Sequence, residues 1–395
     1  MRVALVYQGF ALDASLERER VLLARALVEA GVELDYYGDP RRTTVDLAGA
    51  TFRPVQPLLR SGSRIGHAFE YGSFARAATV ALRRERDRYD VIDVAGTTAW
   101  EHDVVRVHAV QKAEAGRWPE RGGRSFRAAR TRAALAPVTR PKVGVARVIE
   151  RLQFRPGCFN VLLAASEEVR DDLQEVHAVP RELIEVLLPP VETERFGQPD
   201  DGAARRALRV GPDDALLLFV GHDFERKGLG EAITALAGLP PRAHLVVVGR
   251  GDPRRYARAA HDAGLAERVH FVGATDSPEQ WFAAADIFLL PTREDVWGMT
   301  VIEAMAAGVP VVVTAVAGAA AQVREAEAGV VVPDASARTL TDVLSRLVSA
   351  PAERRRLGER GRDAAARFGV RAFGRAALAA YERALAARRG RRASP

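Results

Sequence analysis

Apolar residues in this chain gather into short runs, and the stretches between the runs carry a helical spacing. Val3 to Tyr7 is apolar throughout, and a loop from Gly9 to Ser15 follows. From Leu16 to Ala30 apolar positions recur at helical intervals until Gly31 stops them, and Val32 to Tyr37 reads as a second strand. A strand–helix–strand opening predicts a parallel sheet. Further strands are expected at Val91–Val94, Val104–Val107, Val161–Ala164 and Ile184–Leu187. Ser166, with Glu167 and Glu168 directly behind it, predicts a capped helix reaching Val176.

The second half repeats the plan, with strands expected at Ala215–Val220, His244–Val248, Val269–Val272, Ile287–Leu290, Val309–Val313 and Val330–Val332. Runs such as Leu216–Val220 have no polar position, which suits strands covered on both faces. The pattern predicts α/β architecture with two doubly wound, Rossmann-like domains, each binding ligands at the carboxyl ends of its strands. Prolines and glycines from Pro189 to Pro212 mark the linker, which places the first domain at 1–193 and the second at 194–367.

Composition supports this division. A chain of 395 residues exceeds what one core normally organises. The single cysteine, Cys158, excludes an intramolecular disulfide and fits a reducing, cytoplasmic setting. The apolar start is too short for a signal peptide, and no stretch approaches the roughly 20 apolar residues of a membrane span.

The net charge of +7 is local: Arg117 to Arg155 holds eleven Lys/Arg against two Glu, which leaves the rest of the chain near neutral. Arg121, Arg124, Arg127 and Arg130 recur at every third residue and would make one basic helical face. Such a face suits either plain solvation or contact with an anionic membrane. Aromatic residues there are few (Trp118, Phe126 and Phe154), so nucleic acid is not an expected partner.

Two segments carry the chemistry. In Phe219-Val-Gly-His-Asp-Phe-Glu-Arg-Lys-Gly-Leu229 a buried strand ends, a loop follows and a helix begins. Gly221 opens the loop, and Arg226 and Lys227 add charge where a helix N-terminus already favours an anion. The second segment runs from Leu290 through Pro-Thr-Arg-Glu-Asp-Val-Trp-Gly-Met-Thr-Val-Ile-Glu to Pro310. It places the backbone N–H groups of Met299, Thr300 and Val301 behind Gly298, at a second helix start. Glu303 lies one turn further in among apolar neighbours, where a carboxylate without a task is costly.

These segments resemble the nucleotide-binding domain of family 4 retaining glycosyltransferases, which have the GT-B fold. That fold implies two domains facing across a cleft, and a final segment, here 368–395, that includes a helix returning to the first domain. The family has two acidic residues separated by seven others, matched here by Asp295 and Glu303. The resemblance implies that the first holds hydroxyls of the donor sugar and the second the ribose of the nucleotide. Many members have Glu at the first position, so Glu294 competes with Asp295 for that role. It also implies that Arg226 and Lys227 grip the donor diphosphate. Val248-Gly-Arg-Gly-Asp252, with Gly249 and Arg250, and Val272-Gly-Ala-Thr275, with Gly273, resemble segments beside the base pocket. His222 stands where many members have Arg. In the first half, Asp103-Val-Val-Arg-Val-His108 resembles the strand whose terminal histidine faces the donor sugar.

The expected function is therefore transfer of a sugar from a nucleoside diphosphate donor, UDP- or GDP-linked, to a hydroxyl of a glycan, lipid-linked or small-molecule acceptor. No Asp-x-Asp motif occurs, so no metal cofactor is expected. Two other functions fit the same plan: a nucleotide-binding scaffold without transfer activity, and a nucleotide-sugar epimerase.

Overall fold

A computed structural model of the chain describes residues 1–12, 15–58, 64–110, 141–155, 157–293, 295 and 298–393. Glu294 and the greater part of the basic block, 117–140, lie outside the described residues. The chain forms two compact units: Met1–Pro190 together with Val370–Pro395, and Val191–Gly369.

The first unit is built on a parallel sheet of β1 (Arg2–Val6), β2 (Glu33–Gly38), β3 (Ala50–Pro54), β4 (Val91–Ala95), β5 (Val104–Val107), β6 (Val161–Ala164) and β7 (Ile184–Val186). Its order is β3-β2-β1-β4-β5-β6-β7, so the winding reverses between β1 and β4. Side-chain alternation along β1 explains why helices cover both faces. Val3 and Leu5 pack with Leu23 and Leu27 of helix Ser15–Glu29, and with Phe373 and Tyr381 of helix Val370–Ala393. Ala4 and Val6 pack on the opposite face with Phe74, Ala78 and Leu82 of helix Arg64–Arg84.

The last helix belongs to this unit through Phe373, Ala377, Ala380, Tyr381 and Ala384, a buried stripe at helical spacing. Gly374 lets it approach closely, because a Cβ there would stand 2.6 Å from the Cβ of Ala26. Helix Glu167–His177 is capped as its sequence predicts: the Val169 N–H donates to Ser166 Oγ at 3.3 Å.

The second unit holds β8 (Ala215–Val220), β9 (Ala243–Val248), β10 (Val269–Gly273), β11 (Ile287–Leu290), β12 (Val311–Thr314) and β13 (Gly329–Val332). All pair in parallel in the order β10-β9-β8-β11-β12-β13. The winding reverses between β8 and β11, and both chemistry-bearing segments leave the sheet at these two strand ends.

Two expectations shift. β3 is absent from the hydrophobic reading, because an edge strand needs one neighbour only. Its residues Ala-Thr-Phe-Arg-Pro stay half exposed while pairing from Leu34↔Ala50 to Gly38↔Pro54. β12 begins later than the apolar run suggests, because the Val309 N–H still closes the preceding helix, donating to the Ala304 carbonyl at 2.9 Å. Among the described residues no helix is long and apolar enough to cross a membrane.

Candidate donor-binding site

The site grows from the way the loops after β8 and β11 lock together. The first loop is a succession of turns, with the Lys227 N–H donating to the Asp223 carbonyl and Leu229 N–H to that of Phe224, both at 2.9 Å. Phe224, 5% exposed, anchors it by edge contacts with Phe219 and Tyr256. The Arg226 carbonyl then accepts from the Arg293 N–H at 2.9 Å and the Thr292 hydroxyl at 3.3 Å. Thr292 is fully buried, and its own carbonyl accepts from the Thr314 hydroxyl at 2.6 Å. Gly228 permits this approach: its φ is +79°, and a Cβ there would lie 2.1 Å from the Pro291 carbonyl oxygen.

The clamp brings Lys227 to Asp295. Lys227 Nζ donates to Asp295 Oδ2 at 2.6 Å, and the two side chains are only 12% and 11% exposed. A charge-assisted bond in such shelter is stronger than a surface pair. Arg226 Nε lies 3.4 Å from Asp223 Oδ2, and its side chain is 40% exposed. The structure therefore unites Lys227 with Asp295 and sets Arg226 beside Asp223.

Helix Met299–Ala307 starts behind Gly298, whose φ is +74° and which offers no side-chain cap. The expectation that three N–H groups are open here needs correction. The Val301 N–H donates to the Gly298 carbonyl at 2.9 Å, because the first turn tightens on itself, and Val301 is fully buried. Of the three N–H groups expected to form an anion cradle, those of Met299 and Thr300 remain the candidates, with the helix dipole behind them. Glu303 sits in the same helix at 6% exposure.

Gly221, Gly249 and Gly273 stand at the ends of the adjacent strands β8, β9 and β10. The Gly221 N–H donates to Val248 and the Gly249 N–H to Gly273, at 3.0 and 2.8 Å. A Cβ on Gly249 would meet the Gly221 carbonyl oxygen at 1.7 Å, so only glycine fits. The Arg250 N–H donates to His222 Nδ1 at 3.3 Å. Burial lowers the pKa of His222, and the charges of Arg250 and Lys227 lower it further, so the neutral ring is favoured.

In the first unit His108 follows β5, and its Nε2 lies 3.1 Å from Glu19 Oε2. The roles of Thr292 and Thr314 were not read from the sequence. A Pro-Thr pair directly after a wholly apolar strand was the available signal.

Residues 200–364 match the family model for glycosyl transferases group 1. The lipopolysaccharide glucosyltransferase WaaG of Escherichia coli is 31% identical over 209 residues, covering 51% of this chain and 56% of WaaG. A D-inositol 3-phosphate glycosyltransferase of Xylanimonas cellulosilytica is 33% identical over 265 residues, covering 64% of this chain and 63% of that protein. The chain thus spans a little over half the length of these relatives. Folds agree over a longer span. The crystal structure of WaaG superimposes with a TM-score of 0.74 at 24% identity, over 95% of this chain and 98% of WaaG. Anabaena HepE in complex with UDP-glucose gives 0.68 at 16% identity, over 97% and 99%. The chain therefore has the α/β fold of GT-B glycosyltransferases, and its residues 200–364 form a domain that matches the glycosyl transferases group 1 family.

Proposed function

We propose that the chain transfers a sugar from a nucleoside diphosphate sugar to an acceptor hydroxyl with retention of anomeric configuration. The observation that carries this reading is the Lys227–Asp295 pair, 2.6 Å apart, beside an uncapped helix start at the switch point of the second sheet. Breaking a glycosyl–phosphate bond builds negative charge on the departing diphosphate. Lys227 and the N–H groups of Met299 and Thr300 would stabilise that charge, and Arg226 would join them. In this reading Asp295 exchanges Lys227 for hydroxyls of the donor sugar when the diphosphate arrives. Glu303 takes the ribose hydroxyls, and Gly221, Gly249 and Gly273 admit the nucleotide close to the backbone. His108 is assigned a part in the same reaction.

Two cationic sources at the diphosphate would make a divalent metal unnecessary, so we assign none. UDP-sugars are the first donors to test, because HepE, which shares the fold, binds UDP-glucose. A small-molecule acceptor would suit the relative named for D-inositol 3-phosphate, and a glycan or lipid-linked one the relative named for lipopolysaccharide. The reaction would then run at the cytoplasmic face of a membrane, with the block from Arg117 to Arg155 as the membrane contact.

Release of nucleoside diphosphate from a panel of UDP- and GDP-sugars in EDTA tests the proposal. Release that depends on Lys227 supports it. Release that needs an added divalent cation, or is indifferent to Lys227, contradicts it.

A further inference from the structure

The first unit conceals a group of charges beneath His108. Strand β5 reads Val-Val-Arg-Val, and its Arg106 is only 1% exposed. Glu19, on helix Ser15–Glu29, is equally buried. Arg106 Nε donates to Glu19 Oε1 at 2.7 Å and its Nη2 to Oε2 at 3.1 Å. Arg106 Nη1 spans the carbonyls of Ala164 and Leu187. The next helix residue, Arg20, has its own buried partner, Asp93 at 3.0 Å. Glu19 is therefore neutralised by Arg106 alone among these cations, and it still accepts a further hydrogen bond. That bond comes from His108 Nε2 at 3.1 Å.

Burial pushes the Glu19 carboxyl up, but Arg106 and His108 together outweigh it and hold the group well below the usual carboxylate range. An ionised carboxylate only accepts, so His108 must donate through Nε2, and the neutral ring then keeps Nδ1 free of its proton. The His108 side chain is 16% exposed and Glu19 1%, so one face of the pair reaches outward and the other is fixed in the core.

We infer that Glu19 is a positioning residue for His108: it fixes the ring's orientation and selects the tautomer with the proton on Nε2. This rests on the proposed part of His108 in the transfer. Were Glu19 there only to neutralise Arg106, the tautomer would not depend on it.

The test is the side-chain ¹⁵N spectrum of His108, assigned with His108→Gln and recorded at about pH 9, above the ordinary imidazole range. The expected spectrum shows one tautomer, protonated at Nε2, that becomes mixed in Glu19→Gln. A wild-type ring protonated at Nδ1, or a spectrum unchanged in Glu19→Gln, overturns the inference. Should Glu19→Gln fail to fold for want of a partner for Arg106, the pair Glu19→Gln/Arg106→Gln removes both buried charges and is read in the same way.

Release of UDP from UDP-glucose then separates this inference from the reading beneath it. Glu19→Gln is expected to lower release roughly tenfold to hundredfold in the wild-type background, and to change nothing further in His108→Ala. An equal loss in both backgrounds would make Glu19 merely structural. Wild-type release by His108→Ala would remove His108 from the reaction while leaving the tautomer result intact.

Discussion

At the scale of single residues, the centre of the account is one ammonium and one carboxylate. Lys227→Ala removes the charge that would meet the leaving diphosphate, and turnover is expected to fall by roughly 10²–10³, as when one oxyanion donor is lost. Asp295→Asn keeps the shape of the pair but weakens its hold on Lys227 at 2.6 Å. Steady-state kinetics should show a lower kcat in both variants, with the fold retained. A kcat near wild type in Lys227→Ala would remove it from the reaction. Arg226, partnered with Asp223 and 40% exposed, is expected to matter less than Lys227 in the same assay.

His102 supplies a residue-scale prediction of another kind. It is 8% exposed, and burial pushes its pKa down to about 4. The unfolded chain takes up a proton near the ordinary imidazole value, while the folded chain refuses it until about pH 4. The stabilising contribution is therefore complete above the ordinary value and is lost as pH falls through the window down to about 4. The loss across that window is on the order of 3 kcal/mol. Denaturant unfolding at neutral pH and near the acid end should show a smaller acid loss in His102→Gln than in wild type. An equal loss in both would place the acid sensitivity elsewhere.

At the scale of elements, the loops after β8 and β11 act as one piece. Thr314, Thr292 and the Arg226 carbonyl form a chain of hydrogen bonds, and Gly228 lets the backbones meet. Thr292→Val deletes the middle hydroxyl. Its expected effect is a stability loss of about 1–2 kcal/mol, with turnover reduced as Lys227 loosens. Gly249→Ala forces a methyl onto the Gly221 carbonyl oxygen and should abolish nucleotide binding or folding of the second unit, as calorimetry and circular dichroism would show.

Much of this scale was legible in advance. The strands that carry the site, Ala215–Val220 and Ile287–Leu290, coincide with wholly apolar runs, because a strand buried on both faces admits nothing else. β3 was not legible, because an edge strand with one exposed face has no such run. The spacing of Asp295 and Glu303 marked the candidate site. The Thr292–Thr314 clamp did not stand out, since a buried hydroxyl pair is set by which loops meet. Arg106 carried an unread signal: an arginine inside Val-Val-Arg-Val demands a buried anion, and Glu19, 87 residues earlier, supplies it.

At the scale of the whole molecule, each unit repeats one plan with different contents. The first is closed by the returning helix, whose Tyr381 hydroxyl donates to the buried carboxylate of Asp93. Burial, then the nearby Asp93 charge, raises the Tyr381 pKa far above its ordinary value, so it remains a donor. Tyr381→Phe leaves Asp93 one partner short and should destabilise the first unit by about 1–3 kcal/mol in denaturant unfolding. An unchanged midpoint would mean that packing alone seats the helix.

The second unit carries the central claim, that it binds a nucleoside diphosphate sugar. Thermal stabilisation by UDP, GDP, ADP, dTDP and CMP in EDTA, on wild type and Glu303→Ala, tests this most directly. The account predicts that one nucleoside diphosphate stabilises the wild type, by about 3 kcal/mol at a hundredfold excess over its Kd, and that Glu303→Ala loses most of the effect. No stabilisation by any of the five, or stabilisation indifferent to Glu303, would contradict it and move the inactive scaffold ahead of the transferase.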